Sequence, residues 1–134
     1  MLNRDGISTT TYGAPKQILA NVQLQSSVGC IVDKTLGVAV GTRKIVKAGT
    51  PINIDLMNLQ TKCKKVEAAG SDTSAVPMNA VLLHDVDVTN SDANGTALVF
   101  GFVNVNRVES DVATAITAAQ AIAGASTLLT FMKA

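Results

Sequence analysis

A small, β-dominated α+β domain is predicted for this chain, on three observations. Short runs rich in Val, Ile and Leu alternate with clusters of Gly, Asn, Asp, Ser and Thr along most of its length. A sustained helical spacing occurs once, from Ser110 to Ala123. With 134 residues and 47% apolar content, there is material for one core and no room for two domains. Aromatic residues make up only 3% and Trp is absent, so that core must be filled by Val, Ile, Leu and Ala.

Residues 1–15 have no apolar periodicity and hold Ser8-Thr9-Thr10-Thr11 and Gly13, which predicts an extended N-terminal arm. Residues 16–134 are read as one β-rich domain. Lys16 to Gln25 carries both helical and alternating spacings and stays open between them. Val28 to Val32 reads as a strand. With Leu36 to Val40 beyond Asp33-Lys34-Thr35, it has the pattern of a hairpin. In Lys44 to Ile52, Ala48-Gly49-Thr50-Pro51 reads as a tight turn between an incoming and an outgoing strand. Gly49 supplies backbone angles that other residues avoid, and Pro51 holds Thr50 extended. Within Asn53 to Lys65, Asp55-Leu56-Met57-Asn58-Leu59 fits either one helical turn or an irregular edge strand, and Val66 to Val76 reads as a surface loop ended by Pro77.

The centre of the domain is expected at Val81 to Val108. There two strand patterns, Val81–Thr89 and Ala97–Val105, flank a run of turn formers, Asn90 to Thr96. The helix follows. Ser110 is the expected N-cap, Asp111 complements the helix dipole, Val112, Ile116, Ala119 and Ile122 form a buried stripe, and Gly124 is the expected C′ stop. Ser126 to Met132 is the expected last strand.

Taken in order, Ala48-Gly49-Thr50-Pro51, Asp85-Val86-Asp87, Gly101-Phe102-Val103, the helix at Ser110–Ala123 and the terminal Thr130-Phe131 resemble the lambda-type head decoration and head fiber proteins of tailed bacteriophages. The resemblance covers Val46 to Met132, about two thirds of the chain. It implies a β-tulip or β-clip-like fold. It also implies a structural, non-enzymatic role on the outer surface of the virion: cementing the expanded head by binding the major capsid protein, as a homo-oligomer, a trimer above all. A second reading is a head-displayed β-clip module that binds a ligand or carbohydrate during host adhesion. That reading needs an exposed aromatic platform, and of Tyr12, Phe100, Phe102 and Phe131 the last three fall in strand cores by pattern.

Candidate interaction residues are Thr9, Thr10 and Tyr12 in the arm, and Thr114, Thr117, Ala118 and Ala121 on the helix faces away from the apolar stripe. These helix positions are small and uncharged, where a solvated helix usually carries Lys and Glu. A charged content of 16% extends the same character to the whole chain.

Other function classes fit less well. A net charge of +1 argues against nucleic acid, which needs a concentrated basic surface. The clusters Arg43-Lys44 with Lys47, and Lys62 with Lys64-Lys65, read as solvated charge, or as contacts to an acidic partner. Met1-Leu2-Asn3-Arg4-Asp5 lacks the apolar segment of a secretory leader, and no apolar run approaches the roughly 20 residues of a membrane span, so a soluble cytoplasmic product is expected. Cys30 and Cys63 lack metal or redox spacing and read as small, partly buried thiols. His84 lies opposite Asp85 and Asp87 in an alternating strand, which disfavours a shared metal and predicts a half-buried histidine. No GxSxG elbow or phosphate loop is present, and neither a cofactor nor catalysis is expected.

Overall fold

The computed structural model describes residues 17–21 and 23–133; the expected arm, with Thr9, Thr10 and Tyr12, lies outside the described residues. The strands are β1 (Ser26–Val32), β2 (Val38–Val40), β3 (Arg43–Val46), β4 (Pro51–Asn53), β5 (Lys64–Lys65), β6 (Ala80–Leu82), β7 (Val86–Asp87), β8 (Ala93–Asn104) and β9 (Leu129–Met132), with helix α1 (Ser110–Gln120) before the last strand. They make a six-stranded sheet ordered β1-β8-β6-β4-β5, with β9 also on β8, and a three-stranded sheet ordered β2-β3-β7. The chain is therefore β-dominated with one helix among its described residues.

The long strand β8 is the spine of the larger sheet. Antiparallel β1 lies along one edge of it, from Val32 opposite Ala93 to Ser26 opposite Phe100. Ile18 to Ala20 extend that line. Leu19 bridges Val103, the Ala20 N–H donates to the Phe102 carbonyl at 2.8 Å, and the Asn104 N–H donates to Ile18 at 2.8 Å. The ambiguous segment before β1 thus contributes extended backbone and two buried side chains, Ile18 and Leu19. On the other edge β8 pairs antiparallel with β6 and, further on, parallel with β9.

Three local expectations change in this setting. The Val81–Thr89 arm does not stay with its partner. Val81 and Leu82 pair with Leu98 and Ala97, but the chain then bends, and Val86 and Asp87 join β3 in the smaller sheet. The expected turn from Asn90 to Thr96 ends early, since β8 already runs from Ala93 and sets Asn94 and Gly95 opposite Ile31 and Cys30. Gly95 serves close approach here: a Cβ on it would stand 2.9 Å from Val32 Cγ2 and 3.0 Å from Leu82 Cδ1. Finally, β1 and β2 form no hairpin. The 3₁₀ turn Lys34–Leu36, capped by the Asp33 side chain accepting from the Thr35 N–H, redirects the chain to the other sheet.

The turn at Ala48-Gly49-Thr50-Pro51 forms as expected, and it does more than reverse the chain. It carries the backbone from β3 in the small sheet to β4 in the large one. Leu83-His84-Asp85 makes the opposite crossing, from β6 to β7. The two crossings bond to each other: Gly49 N–H to Leu82 O at 2.6 Å, Leu82 N–H to Thr50 O at 3.0 Å, and Ala48 N–H to the Asp85 carboxylate at 2.7 Å. Asp87 adds an ion pair to Arg43 across β3 and β7. Gly49 has φ +89°, and a Cβ there would lie 2.6 Å from Val108 Cγ1 and 3.2 Å from Val112 Cγ1, so the start of α1 is seated on the bare glycine.

Two cores lie on opposite faces of the large sheet. Cys30, Val32, Ile52, Ala80, Leu82 and Ala97 face Val46, Val86 and Val88 between the sheets. Val81, Leu98, Val103, Met78 and Leu129 meet Ile18, Leu19 and Ala119 on the helix side. The largest fully buried side chains are Ile, Leu, Val and Met, in keeping with a composition poor in aromatics.

In α1, Val112, Ile116 and Ala119 are buried, whereas Ile122 is only partly so. Its ends differ from expectation. Glu109 occupies the N-cap without a side-chain capping bond, and Ser110 is the first helical residue. The helix closes at Gln120 with a tightened last turn: the Ala121 and Ile122 N–H groups donate to the carbonyls of Ala118 and Ala119. Gly124, at φ +91°, ends the following turn against Pro77 and is not the C′ residue.

Gly49→Ala is expected to cost roughly 2–4 kcal/mol, from left-handed backbone strain and collision with Val108. Asp85→Ala is expected to cost about 1–3 kcal/mol by leaving the buried Ala48 N–H without its acceptor. Urea unfolding midpoints at unchanged slope would measure both; near-wild-type midpoints would show that the crossing is not a point of stress.

Candidate interaction surfaces

Thr114, Thr117 and Ala118 are exposed on α1, and Ala121 is exposed at its C-cap. The Thr114 hydroxyl donates to the Ser110 carbonyl at 3.1 Å and the Thr117 hydroxyl to Ala113 at 3.2 Å. Both hydroxyl donors are thereby turned onto the helix backbone. What this face offers outward is mainly methyl groups, with no charge at these four positions.

Beside it runs a groove. Asp111, Ala115, Ala118 and Ile122 recur at i, i+4, i+7 and i+11 and line one wall. Thr50, Pro51, Lys65 and Val66 line the other side. The groove consists of two adjoining clefts, about 350 and 280 Å³, which share Thr50, Pro51, Lys65 and Ala115. At the end nearer Gly49, Lys47 pairs with Asp111 at 3.0 Å.

A second apolar surface was not expected. β8 carries a bulge where Ser27 lies opposite Leu98 but Ser26 opposite Phe100. The extra residue, Val99, reverses the alternation. Leu98 and Val103 consequently both face the helix-side core despite their odd spacing, and Phe100 and Phe102 turn to the opposite face. Both rings are half-buried there, and neither belongs to a core. In β9, Thr130 and Met132 lie in register with Phe102 and Asn104, with Leu129 and Phe131 turned inward. Leu128 is 56% exposed and Met132 38%. Placing Phe100 and Phe102 in the core was therefore incorrect; Phe131 does pack against the helix-side core. The outward alternation of Leu128, Thr130 and Met132 was the sequence signal for this surface.

Three ion pairs are formed among the described residues, Arg43–Asp87, Lys47–Asp111 and Lys62–Asp92. The Asp87 carboxyl is held below the usual carboxylate range by the Thr89 hydroxyl and N–H, with Arg43 adding to the effect. Lys62 pairs with Asp92 at 2.9 Å and lowers that carboxyl, helped by the Lys34 N–H. Lys47 lowers Asp111 and is itself raised by that partner. Lys44, Lys64 and Lys65 are exposed.

Cys30 and Cys63 are free and fully within the inter-sheet core, more deeply buried than expected. Burial, with Cys63 nearby, pushes the Cys30 thiol up to about 11, and burial also raises Cys63. Such thiols remain protonated and are poor nucleophiles. His84 is exposed and not half-buried, because the strand breaks at this crossing and turns its ring outward. Among the described residues, no three His, Cys, Asp or Glu side chains gather as a metal site, and no helix is long and apolar enough to cross a membrane.

Two outcomes follow from these placements. Leu98→Ala is expected to cost about 2–5 kcal/mol, and Phe102→Ala less than half as much; equal losses would return Phe102 to the core. The lowered Asp111 carboxyl contributes stability above its unfolded value of about 3.9, and that contribution is lost as pH falls through the lower folded value. Wild type should therefore be more stable than Asp111→Asn at about pH 7, and the two should converge near pH 2 in urea titrations. A gap that persists in acid would mean that Asp111 acts through something other than its charge.

Comparisons with protein-family models, curated proteins and solved structures found no match to this chain.

Proposed function

We propose that this chain is a structural decoration protein of a phage head. In this reading it self-associates, as a trimer, and binds the major capsid protein on the outer surface of the expanded shell. The observation that carries the reading is the presence of two separate apolar surfaces, the methyl-covered face of α1 and the Phe100–Phe102–Met132 face of β8 and β9. A solitary domain needs neither. A cementing protein needs two, one against its own copies and one against the shell. Contacts repeated over a lattice then add through avidity, and binding only the expanded state stabilises that state by mass action. The order of motifs from Ala48 to Phe131 supports the same assignment by resemblance.

One observation favours the second reading. Phe100 and Phe102 stand side by side outside the core, as a carbohydrate-stacking platform requires. A head-displayed adhesion module would bind glycans in the absence of any shell, and Phe102→Ala would abolish that binding.

Co-sedimentation with empty expanded and unexpanded heads tests the primary reading. The wild-type chain should bind expanded heads alone. Thr117→Lys and Ala121→Glu should keep the fold, since both positions are exposed, yet weaken self-association or head binding at least about tenfold by placing an unpaired charge in a desolvated contact. Unaltered assembly and docking of both variants would remove the helix face from the mechanism, and failure of the wild-type chain to bind any head would remove the capsid role.

A further inference from the structure

The groove between α1 and the β4–β5 side of the sheet has a chemistry of its own. Its walls are mostly aliphatic: Ala115, Ala118, Ala119 and Ile122 from the helix, with Pro51, Val66 and Ala68 from the sheet side. Its charged groups are Lys47, Asp111 and Lys65. Lys47 and Asp111 neutralise each other at 3.0 Å. Lys65 lines both clefts, has no ion pair among the described residues, and stands where the clefts meet. An apolar trough therefore carries one uncompensated cation near its middle.

Dimensions select the shape of an occupant. From Asp111 to Ile122 the wall is about 16 Å long, at roughly 1.5 Å of helix rise per residue. That length fits about five residues of extended chain at roughly 3.3 Å each. A helix of the same length and about 10 Å diameter would fill roughly 1,250 Å³, about twice the two clefts of 350 and 280 Å³ together.

We propose that this groove binds a single extended segment of a partner protein, apolar at its ends and bearing one side-chain carboxylate that meets Lys65. Small Ala side chains let the backbone of such a segment approach the helix, and burial in the trough strengthens the charge-assisted bond relative to one in open water. The site is distinct from both surfaces assigned to the capsid role, apart from Ala118 at its rim, and it does not depend on that role.

The test uses the full chain without any capsid. Probes are the blocked peptides acetyl-Ala-Val-Glu-Val-Ala-amide and its Gln counterpart, titrated against protein labelled at alanine methyls. The Glu peptide should saturably shift the Ala115 and Ala118 resonances, and the Gln peptide should bind about tenfold more weakly, the loss expected for one charge-assisted bond. Lys65→Gln, an exposed change, should erase the difference between the peptides, and Lys65→Glu should reverse it. Equal affinity for the two peptides, unchanged discrimination in Lys65→Gln, or the absence of groove shifts would each overturn the proposal. None of these outcomes bears on head binding, so the two assignments fail separately.

Discussion

Two segments of the chain change sheets at one place, and they hold each other as they do so. The Asp85 carboxylate accepts the Ala48 N–H, while Gly49 and Thr50 exchange backbone bonds with Leu82. Without this crossing, Val46 and Val86 would not face Leu82 across the inter-sheet core, and Ala48 would not sit under the helix. Gly49 lets Val108 and Val112 close onto the backbone, and Lys47 adds its bond to Asp111. The position of α1, and thus of every surface built on it, is inherited from this corner. It also explains the roles of two short motifs, Ala48-Gly49-Thr50-Pro51 and Asp85-Val86-Asp87, which prove to be the two halves of one contact.

The spine strand β8 solves a different problem. Over its length it must serve an inter-sheet core on one face and a helix-side core on the other, with only aliphatic side chains to fill both. The bulge at Val99 shifts the alternation so that Leu98 and Val103 enter the same core. Two of the chain's few aromatic rings are displaced outward as a result. The half-buried Phe100–Phe102 face is thus tied to packing: returning the rings inward would turn Val103 out.

Three ion pairs fasten loops and crossings among the described residues. Arg43 with Asp87, Lys47 with Asp111, and Lys62 with Asp92 each join segments distant in sequence. Exposed pairs of this kind contribute little stability individually. None of them lies at the small positions of the helix face or at Phe100, Phe102 and Met132, and Lys65 has no ion-pair partner among the described residues.

Much of this architecture was legible in the residues. A β-dominated class, an aliphatic core, a glycine turn at Gly49 and a helix burying Val112, Ile116 and Ala119 in one stripe all follow from composition and local period, which depend on residues close in sequence. The small, uncharged positions Thr114, Thr117, Ala118 and Ala121 were legible for the same reason. Strand partnership was not. β1 finds β8 in place of its neighbour, the Val81–Thr89 run is divided between two sheets, and Gly95 is needed for packing where its Asn-Gly context signals a turn. The outward turn of Phe100 and Phe102, and the meeting of Lys65 with the helix wall, likewise depend on segments far apart in the chain. Local sequence determined which pieces form; only the tertiary structure decided which pieces meet, because pairing and burial are settled by the competing partners that folding brings together.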